Sequence, residues 1–350
     1  MALSVEHERV LAPFTTLSLG GPARHFVQAD TRGQLFEALD WAAAREEPVG
    51  ILGGGSNLVI SDDGFPGLVV RVGLRGIELA RASDHALLTV QAGEPWDDVV
   101  ELAVSEGLAG IECLSGIPGS TGATPIQNVG AYGQEVSEVI DAVELLDRES
   151  GRLAWLPGSD CGFGYRDSRF KREPGRYVVL AVRLRLRCDG KPRVRYGELT
   201  RVLAASHSPS LREVQQAVRA LRAAKGMLIG DGYVASAGSF FTNPIVTTEE
   251  AERIVALARE RRLVSESEQV PRFAVEGGVK LAAGWLVERA GIGKGVRRGA
   301  VGVSERHALA LVHHGAGTTR ELLSVATEIQ QQVFRIFGVS LQLEPVRWGP

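Results

Sequence analysis

The segment PGSTGATPIQNVGAYG, Pro118 to Gly133, places four glycines, several small hydroxyl residues and an adjacent Gln127 and Asn128 within sixteen positions. Few of these side chains can fill a core. Such a stretch suits a ligand that lies against bare backbone while amides and hydroxyls supply directional hydrogen bonds. A second cluster, ILGGGSNLVIS (51–61), is flanked by apolar residues and reads strand–turn–strand. It lacks the dinucleotide fingerprint G-x-G-x-x-G, because Leu58 takes the sixth position counted from Gly53 and no helix follows. The phosphate-binding P-loop is also absent, since Gly293-Lys294 is followed by Gly295 where Ser or Thr is required. What survives is a run of small residues whose N–H groups could form an anion-binding concavity. A plain tight turn accounts for GGGSN equally well when it is taken alone.

Arg166 in GYRDS, Ser239 in AGSFFTNP and Glu344 in LQLEPVRWG supply a cation, a hydroxyl and a carboxylate, to which the residues alone assign no role. Each also has a plain reading, as an ion-paired arginine, a buried structural serine and an exposed tail carboxylate. Tyr196, Lys225, Asn243 and Lys280 could grip an anion in the same way. His307, His313 and His314 lie without carboxylate or cysteine partners at ligand spacing, so no metal site is read there.

The chain that must position these groups has 350 residues, 44% of them hydrophobic and 23% charged, enough for two or three domains. Forty-two glycines, against a usual share of about 7%, imply many turns or close backbone approaches. A net charge of −3 argues against a nucleic-acid binder. Three cysteines without C-x-x-C spacing and a start lacking a basic, then apolar, leader point to a cytoplasmic protein. No apolar run is long enough to span a membrane. In YVVLAVRLRLR (177–187), Val182, Leu184 and Leu186 alternate with Arg183, Arg185 and Arg187, as a half-buried strand requires. The arginine ladder could bind phosphate, although a solvated sheet face explains it more simply. Capping boxes predict helix starts at Thr31, Ser210, Thr247 and Thr318. Helical signals cluster after AASHSPS (204–210), the best linker.

TTLSLGGPARHF, ILGGGSNLVIS, IPGSTGATPIQNVGAYG, GYRDSRFK, AGSFFTNP and KLAAGWLVERAG occur in the order found in UDP-N-acetylenolpyruvoylglucosamine reductases, a family the chain resembles over roughly residues 10 to 349. GYRDS resembles the family's first type, which carries a tyrosine-containing lid. The resemblance implies an α+β fold: a two-part FAD-binding domain of the vanillyl-alcohol-oxidase type, with subdomains about 1–72 and 73–205, and a smaller α/β substrate domain at 206–330. Residues 331–350 would return to the active site. It implies noncovalent FAD on Gly53, Gly54, Gly55, Ser56, Asn57 and Leu58 and on Pro118, Gly119, Ala123, Thr124, Gln127, Asn128 and Gly130. Arg166, Ser239 and Glu344 would be catalytic, with Tyr196, Lys225, Asn243 and Lys280 on the substrate. The implied reaction is reduction of UDP-N-acetylglucosamine enolpyruvate to UDP-N-acetylmuramate, with NADPH as co-substrate, for peptidoglycan and hence cell shape and division. A monomer is expected. Another FAD-dependent oxidoreductase of the same fold, or a noncatalytic flavin- or nucleotide-binding module, remains the alternative.

Overall fold

The computed structural model describes residues 3–230, 232, 234–265 and 267–350. Its first lobe comprises β1 (Glu6–Val10), β2 (Pro22–Ala29), α1 (Arg32–Ala43), β3 (Val49–Leu52), β4 (Leu58–Ile60) and β5 (Phe65–Val72). The sheet order is β1-β2-β5-β3, with β2 and β3 parallel to β5 and β1 antiparallel at the edge. Parallel strands need a crossover, and α1 provides the one between β2 and β3. Thr31 caps α1 through a full capping box with Gln34, and Leu35, Ala38, Leu39 and Ala42 form the buried stripe that seats the helix.

The second lobe contains β6 (Ile77–Arg81), β7 (His85–Gln91), α2 (Trp96–Ser105), a single turn α3 (Thr124–Gln127), the hairpin β8 (Gly130–Ala131) and β9 (Gln134–Glu135), β10 (Ile140–Asp147), β11 (Arg152–Pro157), α4 (Arg169–Arg172), β12 (Tyr177–Arg187), α5 (Gly197–Val202) and α6 (Leu211–Ala224). An antiparallel sheet runs β11-β10-β12-β7-β6. Val182, Leu184 and Leu186 are buried as the alternation of β12 predicts, and Arg185 is exposed. Val178 to Val182 are buried without alternation, so the first half of β12 is covered on both faces. The two lobes share one core, which joins Val27 and Leu35 to Leu88 and Val182.

The chain expected to open a substrate domain at 206 packs elsewhere. Ser210 caps α6 with Glu213 as predicted, but Val214, Ala217 and Val218 of α6 pack on Cys113 and Leu199 of the second lobe. An amphipathic helix belongs to whatever core covers its apolar stripe, so 206–224 extends the second lobe.

The third unit holds β13 (Ala235–Ser236), β14 (Ile245–Val246), α7 (Thr248–Glu260), β15 (Arg272–Val275), β16 (Gly278–Leu281), α8 (Ala283–Arg289), β17 (Arg297–Arg298), β18 (Val301–Val303), β19 (Leu311–His313), α9 (Thr319–Phe337) and β20 (Val346–Trp348). Two small sheets, β13-β19-β18-β17 and β14-β16-β15, pack with α7, α8 and α9 around Phe240, Leu286, Ile329 and Phe337. Thr247 and Thr318 both form full capping boxes, and Gly338 ends α9 in a left-handed conformation. α9 therefore runs through the boundary expected at 330.

Beyond α9 the chain crosses back to the first lobe. β20 pairs in parallel with β4, Val346 opposite Leu58 and Trp348 opposite Ile60. β4 thus takes its partner from the far end of the chain, not from β3. Close by, Asp62 accepts the Thr319 and Arg320 amides at 2.7 and 2.9 Å, and Thr319 Oγ1 donates to the Ile60 carbonyl at 2.7 Å. A carboxylate at a helix start satisfies orphan N–H groups and complements the helix dipole. Asp62→Ala is expected to cost about 1 kcal/mol of stability, the usual worth of such a cap. A denaturation midpoint equal to that of the parent would show that Thr318 alone satisfies the start of α9.

Candidate functional site

The turn between β3 and β4 meets the long loop after α2, and their contact explains much of the glycine. A Cβ on Gly54 would stand 2.6 Å from the Gly119 Cα, and one on Gly119 would stand 2.7 Å from Ser56 Oγ. A Cβ on Gly53 would strike the Ser120 hydroxyl. Ser56 Oγ donates to the Pro118 carbonyl at 3.0 Å and locks the two loops together. The first demand on Gly53, Gly54 and Gly119 is therefore the approach of one loop to the other, ahead of any approach by a ligand. Gly55 has φ +63, and its Cβ would run into the Phe14 carbonyl.

Both loops still offer an anion site. None of the backbone amides from Gly53 to Asn57, nor those of Gly119 and Ser120, has an acceptor among the described residues. Thr16 Oγ1, at the wall of the same cleft, is buried without a partner among them. Unpaired donors converging in a concavity suit a diphosphate, so the residues present fit a dinucleotide cofactor.

The cleft has a volume of about 650 Å³ and runs from the glycine loops to the third unit. Gly53, Gly54, Ser56 and Asn57 line it from the first loop, and Pro118, Gly119, Ala123, Thr124, Gln127 and Gly130 from the second. Arg166, Tyr196, Lys225, Ser239 and Glu344 also reach its wall. Gly55, Leu58, Asn128, Asn243 and Lys280 do not line it. Asn128 ends α3 in the left-handed conformation that Asn tolerates. Its amide donates to Glu135 and the Gly164 carbonyl and accepts from Ser137, so the side chain braces the loop and has little left for a ligand. Asn243 accepts the Ala283 amide at 2.9 Å, and Lys280 Nζ lies 4.6 Å from the centre of the Tyr165 ring, beside Arg166. His25 is turned toward His7, Glu47 and Trp41, outside the cleft wall.

One carboxylate ties the centre together. Glu344 Oε1 accepts from Arg166 Nε at 2.9 Å and from Gln127 Nε2 at 2.8 Å, and Gln127 in turn accepts from Asn57. Burial pushes the Glu344 carboxyl above the usual carboxylate range, against the pull of Arg166 and Gln127. Arg166 Nη2 donates to the Gly130 carbonyl at 2.5 Å, which leaves Nη1 without a partner among the described residues. Arg166 has φ +52, a conformation costly for arginine that the surrounding bonds enforce. Ser239 is brought to this pair by backbone pairing, because the Glu344 amide donates to the Phe240 carbonyl at 3.0 Å.

At the other end Lys225 Nζ donates to Glu198 at 2.5 Å and lies 5.5 Å from the centre of the Tyr132 ring, which meets Tyr196 edge-on. Tyr132, Arg222, His307, Arg71 and Thr16 line the cleft and went unselected in the sequence. Arg222 is buried on the Gly116 and Met227 carbonyls, so it brings positive charge with no ion-paired carboxylate among the described residues. Its only sequence signal was its place three residues before Lys225. His307 accepts the Leu309 amide at Nδ1, and burial, helped by Lys225 and Lys294, pushes its pKa down to about 4. It therefore faces the cleft region neutral, with its proton on Nε2.

Comparison with known proteins agrees with this architecture. A family model described as FAD binding domain matches residues 23–156, and one described as UDP-N-acetylenolpyruvoylglucosamine reductase, C-terminal domain, matches 231–348. UDP-N-acetylenolpyruvoylglucosamine reductase of Streptomyces coelicolor is 46% identical, over 98% of this chain and 90% of its own. That of Saccharopolyspora erythraea is 48% identical, over 96% and 93%. The crystal structure of UDP-N-acetylenolpyruvylglucosamine reductase from Thermus caldophilus superposes with a TM-score of 0.67 at 25% identity, covering 99% of this chain and all of that one.

Both glycine loops fall inside the FAD-binding match. Gly54→Ala is expected to force the loops apart, because the obstructing atoms at 2.6–3.0 Å are backbone and cannot swing away. The variant should fold, as judged by far-UV circular dichroism, yet purify with little visible flavin absorbance. A full flavin complement would show that the loops yield without harm to the site.

Proposed function

The chain belongs to the UDP-N-acetylenolpyruvoylglucosamine reductase family, and from that premise we propose that Arg166, Ser239 and Glu344 form its catalytic centre. The enzyme reduces UDP-N-acetylglucosamine enolpyruvate to UDP-N-acetylmuramate in peptidoglycan precursor synthesis, using FAD and NADPH. Bound FAD, itself reduced by NADPH, supplies the hydride that the enolpyruvyl double bond requires. The protein has to hold the cofactor, stabilise charge on the substrate and deliver one proton.

The observation that carries the assignment is the meeting of the Arg166–Glu344 pair with Ser239 in one cleft, from three remote stretches of chain. Negative charge develops at the carbon beside the substrate carboxylate and spreads onto that carboxylate. Arg166 is oriented by Glu344 and the Gly130 carbonyl, so its remaining Nη1 can meet that charge without reorganising. Ser239 Oγ gives its proton to the same carbon, a step open to a weak acid only beside a strongly basic, enolate-like centre. Glu344 holds Arg166 in place through Oε1. Its raised affinity for a proton leaves Oε2, which has no partner among the described residues, able to share one with the reacting end of the substrate.

Lys225 and Tyr196 would grip the UDP diphosphate, with Arg222 adding buried positive charge behind them. Glu198 holds Lys225 where the substrate would displace or share it. The GYRDS motif supports the family's first type.

The test separates the two half-reactions. Reduction by NADPH needs no proton at the substrate carbon, so Ser239→Ala should keep its rate in that half. Transfer to the enolpyruvyl substrate, followed by anaerobic rapid mixing of the pre-reduced variant, should slow by about 10²–10⁴-fold, the usual cost of losing a placed general acid. An unchanged rate in that half would remove Ser239 from the mechanism. Lys225→Ala should behave oppositely, weakening substrate binding by about ten- to a hundredfold through a lost charge-assisted bond. NADPH-driven reduction and flavin content should be spared, and unaltered substrate affinity would assign Lys225 to structure alone.

A further inference from the structure

A second, smaller concavity of about 90 Å³ lies outside the cleft, and its rim carries Arg185, Arg187, Arg193 and Arg195 against the single carboxylate of Glu138. Beyond the activity above, we propose that it binds a tetrahedral oxyanion, phosphate or a phosphate monoester.

Arg185 and Arg187 stand two residues apart on β12, so the alternation of a strand sends both to one face. Arg193 and Arg195 repeat that spacing on the segment before α5 and also line the pocket. Their charge is poorly spent within the protein. Arg185 comes no closer than 3.5 Å to Asp141, and Arg195 no closer than 3.5 Å to Glu138, both beyond a good hydrogen bond. The Arg193 guanidinium has no carboxylate partner among the described residues. Only Arg187 is well held, by Asp189 at 2.6 Å and the Lys191 carbonyl at 2.6 Å, and it serves as a fixed post.

The floor is rigid. Gln134 donates to the buried Glu112 at 2.8 Å and accepts the Cys113 amide at 2.8 Å, while Glu112 also accepts the Gly110 and Arg193 amides. The pocket therefore does not collapse around its charges. Its volume is that of roughly three waters at about 30 Å³ each, room for one compact oxyanion. Guanidinium forks match the oxygens of phosphate, and three of them are free to turn inward. The surface arginines that the alternation of β12 exposes thus have a use that the reductase reaction leaves unassigned.

The probe is radiolabelled inorganic phosphate in equilibrium dialysis against holoenzyme, with saturating UDP-N-acetylmuramate occupying the diphosphate subsite of the main cleft. Ionic strength is fixed with KCl, because exposed charges are screened by salt. One saturable phosphate per chain is expected. Arg185→Ala combined with Arg193→Ala should weaken it at least tenfold, whereas Arg272→Ala combined with Arg298→Ala, which removes an equal charge from arginines paired with Glu252 and Glu328, should leave it unchanged. Full flavin content in each variant reports intact folding. Adenosine monophosphate as competitor distinguishes the sources: displacement assigns the site to phosphate monoesters, and failure to displace assigns it to free phosphate. Absence of saturable phosphate with the cleft filled, or equal binding by the double variant and the parent, overturns the proposal.

Discussion

The site depends on the carboxylate of Glu344. It receives Arg166 from the second lobe and Gln127 from the long glycine loop, and Asn57 of the first loop reaches it through Gln127. Its own backbone is paired to Phe240 in the third unit, two residues before β20 pairs with β4. A buried carboxylate costs several kcal/mol unless charge and hydrogen bonds compensate it, so each of these partners is constrained by the need to satisfy it. Stretches of chain around residues 57, 127, 166, 240 and 344 are thereby brought to one point. Removing Arg166 leaves the buried carboxylate without its counter-charge, and removing Glu344 leaves the guanidinium held by the Gly130 carbonyl alone among the described residues.

The charges along the cleft are arranged in two ways. At the centre the acid and the guanidinium neutralise each other, and burial holds the carboxyl above its usual range. At the far end Lys225, Arg222 and the neutral His307 have one ion-paired carboxylate between them among the described residues, Glu198 on Lys225, so among those residues positive charge prevails where a diphosphate would lie. Binding and chemistry thus have separate electrostatic environments. The excess cations can attract a dianion while the paired centre answers only to charge that develops during the reaction.

Local signals in the sequence proved reliable where one short stretch contains both halves of an interaction. All four capping boxes are formed as written, and β12 alternates where one face meets solvent. What could not be read are interactions whose partner lies far along the chain. The strand after GGGSN gives no sign that its partner is Val346 to Trp348. The stripe on α6 shows that it packs, but not that Cys113 lies beneath it. Gly54 and Gly119 were legible as close approaches, and only the structure shows that the first body to approach each is the other loop. Asn128 was legible as polar and loop-borne, yet three internal bonds use its amide. Tyr132 was legible only as part of the second glycine loop, and His307, which carries no motif, enters the site only because distant segments converge.

The loop-to-loop contact also explains how so exposed a set of amides can be held in place. A turn such as Gly53–Asn57 has few side chains with which to anchor itself, and glycine carries the largest conformational entropy to be lost. Here the cost is offset by interlocking the turn with a second loop through Ser56 and Pro118, and by β4 pairing with β20 immediately after it. The amides on its open side are left oriented and unspent, and they need no rearrangement to accept an anion. Preorganisation of this kind lowers the ordering cost of binding, so the chain that closes the third unit onto the first lobe also prepares the cofactor site.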